Sequence, residues 1–239
     1  MQAAIIAGGL ATRLLPLTAD RPKLLVDVCG RPFIDYQLAL LRSGGVTDVV
    51  LCIGHLGEQI RAHVGDGSTF GLRVRYSDEG EAALGVAGAL KRAEPLLGDW
   101  FLVTYGDGYL QPDYPAAAEA FLAGGARAMM LISRNTDPQH RNEVRVEDGV
   151  ITAFDKVSAG PAFEFLNYGV TFMRRDALAV IAPGAPCTED VFYGALIARG
   201  WLRAYVTDAP IIEIGRAPGL EAFRRLVEAG VVATPEVHP

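Results

Sequence analysis

The order of patterns along the chain predicts an α/β protein with a mostly parallel central sheet and helices on both faces. Three observations carry this reading. Short apolar runs that break into glycine loops look like buried strands. Between them lie stretches whose apolar residues recur at helical spacing. The two patterns alternate, strand, helix, strand, helix, strand, through the first hundred residues.

The elements follow in order. Residues 3–7 (AAIIA) form a buried strand ending at Gly8-Gly9. Residues 33–43 (FIDYQLALLRS) have helical spacing, and Gly44-Gly45 stops the helix. Residues 49–53 (VVLCI) form the next buried strand, and 57–64 a short helix. Leu72, Val74 and Tyr76 alternate with Arg73 and Arg75, which predicts a half-exposed strand. A helix over 86–97 and a strand over 101–105 close the first half. The second half predicts a helix at 114–123 and a strand at 128–133. Strands at 143–147 and 150–154 flank Asp148-Gly149, a two-residue hairpin turn. A strand at 167–173, helices near 176–181 and 189–199, a strand near 203–206 and a helix at 218–229 complete the chain. No linker or repeat divides it, so residues 1–239 read as one domain.

That length suffices for a full hydrophobic core without disulfide or metal. Apolar residues make up 50% and charged residues 21%, which excludes intrinsic disorder. The net charge is −6 and no basic stripe occurs, so no nucleic-acid partner is expected. No apolar run reaches the ~18 residues of a membrane span, so no membrane partner is expected either. The start, MQAAIIAGG, lacks the basic and long apolar regions of a signal peptide. Cys29, Cys52 and Cys187 form no CxxC, and read as reduced thiols of a cytoplasmic protein.

Ligands of open parallel sheets bind at the carboxyl ends of the strands. Two loops there hold the residue types of phosphate chemistry. The first runs from Gly8 through Arg13 to Lys23, with small residues that let backbone N–H groups approach phosphate oxygens. It is neither a Walker loop nor GxGxxG. The other is Tyr105-Gly106-Asp107-Gly108, where a lone carboxylate between glycines suits Mg²⁺. Alone, the first is a glycine turn with two cations and the second a capped turn. Together they suit a nucleotide–metal complex.

On these residues the chain resembles the sugar-1-phosphate nucleotidyltransferases. GGLATRLLPLTADRPKLLVDV is similar to the family's GGxGTRLxPLTxxxPKxLxxV. TYGDG resembles its metal-binding strand end, EAALGVAGAL its ExxLGTAGAL, and FDKV its FxEKP. NYGVTFM resembles NAGxYxF, and IEIG the late xDIG. The compactness looks most like the short heptose-1-phosphate guanylyltransferase and N-acetylmuramate-1-phosphate uridylyltransferase branches.

The resemblance implies a Rossmann-like, three-layer α/β/α fold of the GT-A type with a mixed, mostly parallel sheet. It divides the chain into a nucleotide-binding half (about 1–110) and a sugar-phosphate half (about 111–239). It implies an enzyme that joins an NTP and a sugar 1-phosphate, releasing pyrophosphate with Mg²⁺, as a monomer or homodimer. Arg13, Lys23 and Asp107 are then the catalytic residues, with Asp107 and Glu213 holding the metal. Ala7, Gly8, Gly9, Leu10, Ala11, Thr12, Glu81 and Gly88 would line the nucleotide. Lys156, Asn167, Gly169 and Glu189 would hold the sugar phosphate. Lys156 also reads as a surface lysine, Glu189 as a helix cap, and Glu213 as a partner of Arg216.

Four residues depart from the pattern. Ala11 replaces a glycine, Val86 a threonine, Asp155 a glutamate and Glu213 an aspartate. Ala11, Val86 and Glu213 support an alternative of another class, a catalytically inactive nucleotide-sugar-binding regulator. Guanine offers N1–H and N2–H donors, which Glu79 or Glu81 would accept, so GTP with a heptose 1-phosphate is favoured. UTP and CTP stay open.

Overall fold

The computed structural model describes residues 1–9, 11–80, 84–135, 141–157, 160 and 162–235. Eleven strands and six α-helices are assigned among them. Strands β1 (Gln2–Ile6), β4 (Asp48–Ile53), β5 (Arg73–Asp78) and β6 (Trp100–Tyr105) belong to the first half. So do helices α1 (Phe33–Ser43), α2 (Gly57–Val64) and α3 (Gly85–Ala93). A small hairpin, β2 (Asp27–Val28) and β3 (Arg31–Pro32), precedes α1. The second half holds α4 (Tyr114–Gly124), β7 (Ala128–Arg134), β8 (Val144–Glu147), β9 (Val150–Phe154) and β10 (Phe165–Arg174). It ends with α5 (Glu189–Ile197), β11 (Leu202–Val206) and α6 (Ala217–Glu228).

Nine strands form one sheet in the order β5-β4-β1-β6-β10-β7-β11-β9-β8. The β5, β4, β1 and β6 strands are mutually parallel, as the alternating pattern predicts. Beyond them the sheet is mixed. β10 runs antiparallel to both β6 and β7, β11 is parallel to β7, and β9 pairs antiparallel to β11 and β8. Hydrophobic periodicity does not encode strand direction, so this reversal was not readable from the sequence.

Alternation sorts the strand residues to two faces. Ala3, Ile5, Val49, Leu51 and Leu102 join α1 and α4 in one core. Ala4, Val50, Phe101 and Val103 join α3 and α5 in the other. The sheet is therefore the middle of three layers. The helix expected over 86–97 ends at Ala93 and continues as a 3₁₀ turn, Glu94–Leu96, where Pro95 supplies no N–H. The helix expected near 176–181 is a 3₁₀ segment, Arg175–Val180. Asp148 (φ 49°) and Gly149 (φ 74°) form the expected primed turn. Cys29 (φ 52°) and Gly30 (φ 85°) repeat that geometry in β2–β3, a hairpin whose strands are too short to show alternation.

A third apolar cluster lies outside the two faces. Phe223 of α6 meets Phe33, Tyr36 and Tyr109, with ring centroids 5.2, 5.5 and 4.9 Å away. Leu14, Val26, Val28, Ile214 and Leu220 complete it. Arg224 of α6 donates from Nη2 to the Asp27 carbonyl at 2.7 Å. These residues flank the glycine loop, the Asp107 loop and the Glu213 segment, so the C-terminal helix fastens all three. Among the described residues no helix is long and apolar enough to cross a membrane.

Candidate active site

β1 and β6 are parallel neighbours, so the loops that leave them open on the same edge. The Gly106 N–H donates to the Ile6 carbonyl at 2.9 Å. A Cβ on Gly106 would stand 2.7 Å from Leu24 Cδ1, so only glycine lets Leu24 pack there. Leu24 is buried, and its seat on Gly106 delivers the preceding residue to the next one along the β6 loop. Lys23 Nζ lies 2.7 Å from Asp107 Oδ2. With side-chain exposures of 19% and 27%, both charges are lodged in the site yet reachable by a ligand.

The strand-end carboxylate is held from two further sides. Gln37 of α1, 2% exposed, donates from Nε2 to the carbonyls of Tyr105 (2.7 Å) and Gly108 (2.8 Å). It brackets Asp107 from below. Gly108 forms an antiparallel bridge with Glu213. Tyr109 N–H donates to Ile212 O, and Ile214 N–H to Asp107 O, both at 2.8 Å. Glu213 is thereby carried beside Asp107 from about a hundred residues away. Gly215 lies so near that a Cβ there would be 2.8 Å from Asp107 Oδ2.

Ala11, Thr12, Arg13, Lys23, Asp107 and Gly215 line one cavity of about 180 Å³. The cations expected to meet phosphate and the carboxylate expected to meet metal thus share one space. Ala11 has φ 49° and ψ 36°, in the left-handed region. That conformation costs an L-residue about 1–2 kcal/mol and explains the glycine of the family pattern. The Thr18 hydroxyl donates to the Ala11 carbonyl at 3.0 Å and helps hold the turn. Ala7 is buried and its N–H bonds Cys52 O at 2.8 Å. A Cβ on Gly9 would meet nothing within 4 Å. Leu10 and Glu81 lie outside the described residues.

Glu79 occupies the opposite end of this edge. Its Oε1 lies where a Cβ on Gly8 would collide, and a Cβ on Gly54 would stand 2.9 Å from it. Leu84 N–H donates to Oε2 at 3.3 Å. Burial raises the Glu79 carboxyl above the usual range. Gly88 meets the loop before α5. Its N–H donates to Cys187 O at 3.2 Å, and a Cβ would stand 3.1 Å from Ala185 O. It packs against the 185–187 loop, and its backbone donor is already used.

A second polar cluster stands where β9, β10 and α5 meet. Lys156 Nζ pairs with Glu189 Oε2 at 2.5 Å, and its ammonium sits 5.7 Å from the Phe154 ring centroid. Burial works against the ammonium, but Glu189 outweighs it and holds the Lys156 pKa above normal. Tyr105 also donates to Glu189 Oε1, and Asn167 Nδ2 does so at 3.1 Å. Glu189 therefore turns into this cluster rather than capping its own helix. Gly169, at φ 92°, sits in a bulge of β10 and donates its N–H to Asn167 Oδ1 at 3.0 Å. Its part is to aim Asn167.

Glu143 completes the cluster and was missed in the sequence, since it belongs to no motif considered there. Its Oε1 accepts from Asn167 N–H at 3.2 Å. Burial pushes its carboxyl up to about 6, against the pull of Lys156. Among the described residues no three His, Cys, Asp or Glu side chains form a metal cage. Asp107 and Glu213, brought together by backbone pairing, are the two carboxylates that would hold Mg²⁺, with phosphate oxygens and water completing the shell.

The protein is thus an α/β protein in which a cationic glycine loop faces the Asp107 carboxylate at a parallel strand edge. Residues 2–155 match the family described as nucleotidyl transferase, and the chain belongs to it. It is 42% identical over 118 residues to the N-acetylmuramate alpha-1-phosphate uridylyltransferase of Neisseria meningitidis serogroup B, covering 49% of this chain and 51% of that protein. It is 31% identical over 188 residues to a glucose-1-phosphate thymidylyltransferase of Streptomyces griseus, covering 77% and 53%. The chain thus spans about half the length of these relatives. The fold is similar to that of HddC from Yersinia pseudotuberculosis, with a TM-score of 0.79 and 23% identity over 94% of this chain and 98% of that one.

Proposed function

We propose that the protein transfers a nucleotidyl group from an NTP to a sugar 1-phosphate. The observation that carries this is the cavity shared by Arg13, Lys23 and Asp107. A phosphate oxygen of the sugar attacks the α-phosphorus in line; the bond to the β-phosphate breaks and pyrophosphate leaves. Such chemistry needs positioning and charge neutralisation more than proton transfer. Arg13 faces the departing pyrophosphate, where negative charge grows. Lys23 exchanges Asp107 for the α-phosphate and the incoming sugar phosphate. Asp107 and Glu213 would hold Mg²⁺, which would supply charge neutralisation to the phosphates. Lys156 grips the sugar phosphate, and Glu189 and Asn167 accept and donate to the sugar.

The preferred pair is GTP and a heptose 1-phosphate. Glu79 supports the base: a half-buried carboxylate at the ends of β1 and β4 accepts from both guanine donors. A second reading, UTP with N-acetylmuramate 1-phosphate, is favoured by the similarity to the Neisseria enzyme. The protein is proposed to act in the cytoplasm, as a monomer or homodimer.

Pyrophosphate release, with four NTPs crossed against sugar 1-phosphates, tests the reading. One productive pair is expected, and Asp107→Asn should lower its turnover at least ~100-fold while nucleotide binding persists. Nucleotide binding without turnover, unaffected by Asp107→Asn, would point to a regulator instead.

A further inference from the structure

We propose that Glu143 determines acceptor specificity, restricting the acceptor to sugar 1-phosphates whose sugar part carries no second acidic group; this rests on the transferase reading above. Glu143 is fixed at the entrance to β8 by its own backbone. Its N–H donates to Phe165 O, and its carbonyl accepts from Asp155 N–H, both at 2.9 Å. Its side chain is fixed in turn by the Asn167 N–H of the β10 bulge. Its backbone cannot shift without breaking the sheet edge, and its carboxylate cannot leave without giving up the Asn167 N–H.

The charge around it is one-sided. The groups that act on Glu143 are Lys156 after β9, Glu189 of α5 and Glu213 of the late segment. Lys156 is the single cation among these, and Glu189 already holds it at 2.5 Å. With Glu213 assigned to Mg²⁺, one ammonium thus stands between two carboxylates, Glu189 and Glu143. Carboxylates accept hydrogen bonds from hydroxyls, so a neutral polyol finds acceptors on several sides. A uronic carboxylate or a lactyl ether acid would bring a further negative charge and no donor. Like charges placed together discriminate strongly between partners. Asn167 on the same edge is neutral and its amide is engaged by Glu189 and Gly169, so Glu143 is the side chain that sets the sign.

The test is the ratio of kcat/KM for neutral and acidic acceptors, with Mg²⁺ and the best NTP saturating. Mannose 1-phosphate, glucose 1-phosphate and a heptose 1-phosphate form the neutral set. Glucuronic acid 1-phosphate and N-acetylmuramate 1-phosphate form the acidic one. The best neutral acceptor should exceed the best acidic one ~100-fold or more. Glu143→Gln should shrink that ratio at least ~10-fold, chiefly through KM for the acceptor, with KM for the NTP unchanged. A preference for acidic acceptors, or a Glu143→Gln variant with an unaltered ratio, would overturn the assignment and leave the transferase reading intact. No turnover with any acceptor, neutral or acidic, would overturn both.

Discussion

Glu143 shows at the scale of one residue what a buried carboxylate costs a fold. Its carboxyl is buried beside other carboxylates, and its pKa is raised from 4.5 to about 6. A raised carboxyl means that the folded state binds the proton more tightly than the unfolded chain. Stability is therefore full below pH 4.5 and falls as pH rises through 6. The loss at neutral pH is about 2 kcal/mol. Glu143→Gln keeps the amide oxygen for Asn167 and removes the charge. Urea unfolding should find the variant equal to the parent at pH 4 and more stable by about that amount at pH 7.5. A variant less stable at pH 7.5 would show instead that Lys156 more than offsets the burial. Glu143 was not legible in the sequence because nothing around it announces a site. Asp107 stands out in the sequence because Gly106 and Gly108 flank it, and Arg13 and Lys23 because they are the cations of the loop that follows Gly8-Gly9. Ala11 was legible too, as a residue standing where the backbone demands a glycine.

At the scale of elements, α1 does more than cover the sheet. Its Gln37 bonds both carbonyls that flank the Asp107 loop. Gln37→Leu would leave the buried Gly108 carbonyl without its side-chain donor, while Tyr105 O keeps the Gly108 N–H, at about 1–2 kcal/mol in stability. The Asp107 loop would also loosen, so kcat should fall ~10-fold, with more Mg²⁺ needed for half-maximal rate. A variant with unchanged Mg²⁺ dependence and kcat would reduce Gln37 to a packing residue. The helix itself was readable from residues 33–43, whose apolar spacing ends at Gly44-Gly45. What Gln37 reaches was not, because its partners are backbone atoms some seventy residues away. The antiparallel course of β10 was hidden for a related reason: a strand's neighbours depend on the whole sheet, not on its own letters.

At the scale of the whole molecule, the two faces of the sheet build the scaffold and the third cluster builds the site. Phe223 is fully buried among three aromatic rings. Phe223→Ala should cost about 3–5 kcal/mol in unfolding free energy. Because its neighbours flank the loops that line the cavity, activity should be lost on heating before the helical signal of circular dichroism changes. Coincident loss of both would show that the cluster and the sheet melt as one unit.

The anchoring of the loops by α6 also sets an order of events during synthesis. Arg13, Lys23, Asp107 and Glu213 have all been translated before the ribosome reaches Phe223. The parallel sheet can already pair β1, β4, β5 and β6 by then, because none of those strands needs α6. The loops on its edge have no Phe223 to close on until α6 clears the exit tunnel. A nascent chain halted before residue 217 would hold every group named for the chemistry and lack the frame that aligns them.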